Sequence, residues 1–160
     1  MPNRVERERL EMVKKATPAT QVQYRIQGRY ELRVEGRMMV SSVRGPWNIR
    51  AVKGYGVASA ELIRSLAGAP WVVLAKISGE PLHTAESIDE LATMVRHHRE
   101  LGRSGTALVF EEDSAVSRIH QLMLSKIYTL SGEPFYFAED EASARAWLDQ
   151  QLTSQPVSQS

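Results

Sequence analysis

From Gln21 onward, apolar and polar residues alternate in short runs: Val22, Tyr24 and Ile26, then Tyr30, Leu32 and Val34, then Met38 through Val43. Alternation of period two puts every second side chain on one face of a strand. Gln27-Gly28 and Gly36-Arg37 separate the runs, so this opening predicts hairpin strands joined by glycine turns. The period then lengthens. Asn48 is placed to cap a helix by accepting a hydrogen bond from a free backbone N–H of its first turn. Ile49, Val52, Gly56, Ala60, Ile63 and Ala67 follow at helical spacing, until Gly68 and Pro70 stop the helix. Trp71-Val72-Val73-Leu74-Ala75 has no polar interruption, and Thr106 through Phe110 repeats the pattern. Such runs are strands buried on both faces, which predicts Val72 to Ala75 and Ala107 to Phe110 as adjacent central strands. Between them, Ile88, Leu91, Ala92, Val95 and His98 make one helical stripe opposite Glu86, Glu90, Thr93, His97 and Glu100, with Gly102 as the stop. A third helix is predicted from Ser114 through Val116, Ile119, Met123, Ile127 and Leu130 to Gly132. Phe135-Tyr136-Phe137 reads as a short strand. Glu139, Asp140 and Glu141 then put negative charge on the positive first turn of a helix holding Ala142, Ala146, Trp147 and Leu148.

Strand-helix-strand steps repeated in this way call for right-handed parallel crossovers, while the opening hairpin adds an antiparallel edge. The predicted fold class is α/β, a mixed and mostly parallel sheet of about five strands with an opening antiparallel hairpin and four helices. Three regions are expected. Residues 1–20 form an arm with a helix over 3–16 that Thr17-Pro18 interrupts, either mobile or swapped onto a partner. Residues 21–152 form the α/β domain, and 153–160 a polar, disordered tail.

The 160 residues suit one domain. At 42% hydrophobic and 24% charged, the chain lies far from the composition of disordered chains. It has no cysteine, which removes disulfides, thiolate zinc sites, iron–sulfur clusters and cysteine nucleophiles. No apolar run approaches the ~20 residues that span a bilayer, and the charged start lacks a signal peptide's apolar region. A cytoplasmic location is expected. The net charge of +1 hides an asymmetry: residues 1–50 carry 11 Lys and Arg against 5 Glu, and the remainder 9 against 14 acidic residues. Arg4, Arg7 and Arg9 alternate with Glu6, Glu8 and Glu11 at helix-pairing distances, the mark of a solvated helical arm, so no nucleic acid is expected as a partner.

Gly45-Pro46-Trp47-Asn48 entering the first helix, and Phe137 followed by Ala144-Arg145-Ala146-Trp147-Leu148, resemble the STAS domains, within them the SpoIIAA-like group, over residues 28–152. The resemblance implies a regulatory binding module with a protein partner. Many such domains are partner-switching antagonists phosphorylated on a Ser or Thr at the start of the helix after the central strand. Here Ile77-Ser78-Gly79 leaves the strand, Thr84 stands where an aspartate is usual, and Ala85 stands where the phosphoacceptor is usual. A side chain without a hydroxyl cannot take the phosphate.

Ligands bind where the carboxyl ends of parallel strands meet the next helix starts. That edge gathers Lys76, Thr84, Glu86 and Ser87, then Glu111, Glu112, Asp113 and Ser114. Lys76 interrupts an apolar strand and is a candidate to hold an anion or acidic side chain beside the amides of residues 85–87. Equally physical is the reading of Thr84 and Ser114 as caps, with the carboxylates answering helix dipoles. Trp47 either staples onto the helix that Asn48 caps or anchors a partner or apolar ligand. Glu111 and Glu112 do not make an acid/base pair, because neighbours on an exposed turn share one environment. His83, His97, His98 and His120 lack zinc spacing, and Gly54 through Ser59 lacks the third glycine of a dinucleotide loop. No catalytic residue, metal or cofactor is expected.

The predicted function is a non-enzymatic regulatory or ligand-binding module, with a protein partner or small ligand and a homodimer as a candidate assembly. The rivals are a lipid or apolar-ligand module, with a membrane surface as its extension, and a small enzyme using Lys76. An enzyme needs a deep polar pocket at Lys76, an apolar-ligand module a cavity beneath Trp47 and Tyr55, and a partner-switching module neither.

Overall fold

The computed structural model describes residues 22–25, 29–80, 84–112 and 114–154. The expected arm, the Gln27-Gly28 turn, His83, Asp113 and the tail from residue 155 lie outside them.

The elements run β1 (Val22–Arg25), β2 (Arg29–Glu35), β3 (Met38–Arg44), α1 (Ile49–Leu66), β4 (Trp71–Ser78), α2 (Ala85–Glu100), β5 (Arg103–Phe110), α3 (Ala115–Ser131), β6 (Phe135–Ala138) and α4 (Glu141–Ser154). The strands form one six-stranded sheet in sequence order, antiparallel from β1 to β3 and parallel from β3 to β6. This is the fold class that the sequence predicts, with β1 bringing the sheet to six strands. β4 and β5 are adjacent and each has a neighbour on both sides, as their apolar runs require. α4 runs to Ser154, two residues past the expected end of the domain.

Local chemistry sets the joints. Gly36, first of the two residues linking β2 to β3, takes φ +58°, which lets the turn follow the strand twist. Arg37 beside it donates to the carbonyls of Leu66, Ala69 (2.8 Å) and Pro70 (3.0 Å), satisfying acceptors at the end of α1. The caps are those expected: Asn48 on α1, Thr84 on α2 and Ser114 on α3.

A sheet laid down in one direction with crossovers of one hand collects its crossover helices on one face. α1, α2 and α3 accordingly pack with Met39, Val73, Ala75, Ile77 and Leu108, while α4 alone covers Met38, Val40, Val72, Leu74 and Ala107 through Ala144 and Leu148. Two predicted stripes are rotated. α1 buries Ala51, Val52, Tyr55, Ala58, Ser59, Leu62, Ile63 and Leu66, whereas Ala60 and Ala67 face water. α3 buries Ser117, His120, Leu124, Ile127, Tyr128 and Ser131, leaving Val116, Ile119 and Leu130 exposed. In both helices the larger rings and leucines fill the space against the sheet. The pattern of small or branched residues followed a neighbouring face.

Candidate functional site

Between the sheet and α1 to α3 lies a small cavity of about 70 Å³. Its walls are apolar: Val43, Val73, Ala75 and Ile77 from the strands, Leu91, Met94 and Val95 from α2, and Leu124 from α3. The mouth opens at Gly45 and Glu80, where β3 and β4 end, the edge at which parallel sheets expose their sites. The two loops meet closely there: Gly45 N–H donates to the Ser78 carbonyl at 2.9 Å, and a Cβ on Gly45 would run into the Glu80 carbonyl.

Trp47 and Tyr55 line one side, and Tyr30 packs edge-on behind them, with ring centroids 5.4 to 5.7 Å apart. The Trp47 indole N–H donates to the Arg44 carbonyl at 3.1 Å, so the ring is tied down, only 8% exposed, and forms wall instead of projecting as an anchor. Tyr55 Oη and Ser41 Oγ share a hydrogen bond of 2.6 Å, and burial raises the phenol pKa.

Arg103 at one end of the cavity is held by a buried network. β5 is irregular here, because Trp71 pairs with Arg103 but Val73 with Thr106, so that Val72 alone faces both Ser104 and Gly105. Such a bulge re-aims side chains. It turns Arg103 and Thr106 to one face, where Arg103 Nη2 donates to Thr106 Oγ1 at 2.6 Å. Gly132, with φ +72°, ends α3 so that the Glu133 N–H reaches the Tyr128 carbonyl at 2.9 Å. The Glu133 carboxylate then accepts from Arg103 Nε, from Thr106 Oγ1 at 2.8 Å and from Arg99 Nη1 at 2.8 Å. Burial, the largest single effect, works against the Arg103 cation, and Glu133 together with Tyr128 and Tyr55 outweighs it, raising the arginine's pKa. His98 Nδ1 lies 3.2 Å from Arg103 Nη1; burial first, then the charges of Arg103 and His97, push its pKa down to about 3. Burial raises the Tyr128 phenol as well.

His120 on α3 lines the cavity nearer β5's far end, its ring edge-on to Phe110 at 5.6 Å. It is 7% exposed, and its Nδ1 has no hydrogen-bond partner among the described residues. Burial lowers its pKa to about 4.

The site residues expected from the sequence divide. Asn48 accepts from the Ala51 N–H at 3.0 Å as a cap, and Trp47 before it walls the cavity. Thr84 Oγ1 accepts from the Ser87 N–H at 3.1 Å and lies 2.7 Å from the Ser87 hydroxyl; Ser87 is fully buried, while Glu86 is exposed on the same turn. Lys76 is not brought to them. The pleat turns it to the α4 face, opposite Ala75 and Ile77, where it pairs with Glu141 and borders a shallow recess with Ser42, Ser78 and Glu111. His120, Arg103, Tyr128 and Glu133 were not singled out as site residues from the sequence. A usable signal lay in Ser117, His120, Leu124, Ile127 and Ser131, themselves at helical spacing.

Among the described residues no group of three His, Asp or Glu side chains is placed to hold a metal ion, and no helix is long and apolar enough to cross a membrane. No protein-family model matches the chain, and no curated protein matches its sequence. A solved structure described as an anti-sigma factor antagonist from Mycobacterium paratuberculosis is similar over 83% of this chain and 97% of its own, at 18% identity and a TM-score of 0.47.

Proposed function

We propose that this chain is a non-enzymatic binding module whose ligand is a small, mostly apolar molecule held between the sheet and α1 to α3. The observation that carries this reading is the apolar cavity walled by Trp47 and Tyr55 and opening at the carboxyl ends of β3 and β4. A small enzyme built on Lys76 finds no such support, because Lys76 lies on the opposite face in a partly exposed pair with Glu141. Uptake of the uncharged dye N-phenyl-1-naphthylamine, which fluoresces in apolar surroundings, tests the reading. Wild type takes up one dye per chain. Ala75→Phe, which fills the cavity from its wall, loses most of that uptake while keeping its circular dichroism. No uptake by wild type, or equal uptake by a folded Ala75→Phe, overturns it.

A partner-binding, regulatory role has its own support in α3, where Val116, Ile119, Leu122 and Leu130 are 43 to 73% exposed. A protein that covers this face meets the same helix that carries His120 into the cavity. In that role the absent hydroxyl of Ala85 leaves Thr84 and Ser87 as the hydroxyls of the α2 start.

A further inference from the structure

His120 is a polar side chain that the fold buries at an apolar cavity without giving its Nδ1 a partner among the described residues. A buried polar atom left unpaired costs stability, and native structures ordinarily satisfy such atoms. The other polar groups around the cavity are already engaged. Tyr55 is bound to Ser41, and each nitrogen of the Arg103 guanidinium has a partner in Glu133, His98 or Thr106. Glu133 also cancels the Arg103 charge inside the wall, and Glu80 stands at the mouth. An anion entering here meets no uncommitted cation. His120 lies eight residues before Tyr128 on α3, about 12 Å along the axis, so the cavity runs from an unpaired polar atom at one end to a closed network at the other.

Resting on the ligand-binding reading above, we infer that the ligand is an uncharged amphiphile whose hydroxyl hydrogen-bonds to His120 Nδ1 while its apolar part lies against Ala75, Leu91 and Trp47. A hydroxyl both donates and accepts, and so fits either neutral tautomer of the ring. A carboxylate of equal length only accepts, and its charge is costly to desolvate. The imidazole is neutral at ordinary pH, because burial holds its pKa near 4.

The test is displacement of N-phenyl-1-naphthylamine from the full-length protein at pH 8 by 1-octanol and by octanoate. Wild type is expected to release the dye to octanol at a concentration at least tenfold lower than to octanoate. His120→Phe is expected to keep the dye but to bind octanol roughly tenfold more weakly, the scale of one net hydrogen bond. His120→Asn, whose amide also donates and accepts, restores most of the difference. Octanoate binding as well as octanol overturns the inference, and so does octanol binding unchanged in a folded His120→Phe. Should His120→Phe not fold, His120→Leu replaces it, and the preference of wild type is read without any variant. Dye uptake with no octanol preference overturns this inference alone; no dye uptake at all overturns the cavity reading beneath it.

Discussion

Glu133 accepts from Arg99, Arg103 and Thr106 at a position with no side-chain exposure, and Arg103 is almost as deeply buried. Taking two charges out of water is costly, and their attraction offsets that cost only while both are present. Glu133→Ala is therefore expected to lose about 3–5 kcal/mol in urea unfolding, because it strands the Arg103 cation. Arg103→Met combined with Glu133→Leu is expected to lose less than that single change, and an equal or larger loss in the pair would show that the network does more than neutralise itself. The sequence could not announce this pair. Arg103 follows the helix-stopping Gly102 and looks like a loop residue, and only the bulge between Trp71 and Val73 turns it inward. Thr84 was the easier case, since a threonine ahead of Glu86 and an apolar stripe is a cap by chemistry alone. Thr84→Ala is expected to cost about 1 kcal/mol, and no change in the thermal midpoint would leave the Thr84–Ser87 contact without energetic weight.

Single elements were legible in proportion to how sharply their apolar residues contrasted with their neighbours. β4 and β5 stood out because five apolar or small residues in a row leave no face for water, and α2 because Glu86, Glu90 and Glu100 fall opposite Ala92, Val95 and His98. α3 carries apolar residues on more than one face. Val116, Ile119 and Leu130 and the buried Leu124, Ile127 and Tyr128 each offer a helical stripe, and packing against the sheet chooses the second. That choice carries His120 inward, so the residue central to the site depended on a phase that periodicity left open. Stability separates the two faces. Leu124→Ala is expected to cost about 2–5 kcal/mol, while Ile119→Ser stays within about 0.5 kcal/mol of wild type. Guanidinium unfolding of both variants is the check, and a reversed order would mean that α3 is turned the other way.

At the scale of the whole molecule, one hand of crossover places three helices on one face, and every strongly desolvated ionisable side chain of the described residues sits under them. Stability then depends on pH through that layer. His98 and His120 ordinarily titrate near 6.5, but burial lowers them to about 3 and about 4 in the folded state, with Arg103 and then His97 adding to the shift at His98. Below pH 6.5 the unfolded chain binds protons that the folded chain refuses. The unfolding free energy therefore falls as the pH drops, by up to about 1.4 kcal/mol per pH unit for each histidine. Glu35 and Glu141, lowered first by hydrogen bonds from Arg145 and Lys76 respectively, act in the same direction, but only below their ordinary 4.5. Between pH 6.5 and 4.5 the two buried histidines therefore set the slope. Urea unfolding at pH 7.5, 6.5 and 5.5 is expected to show stability falling slightly over the first step and about threefold more steeply over the second, and His98→Gln to remove about half of that fall. His98→Gln that unfolds with the full wild-type slope would place the dependence elsewhere. In the folded chain His120 itself takes up a proton only near pH 4, and a charge then stands at the end of the cavity where an uncharged hydroxyl is proposed to bind.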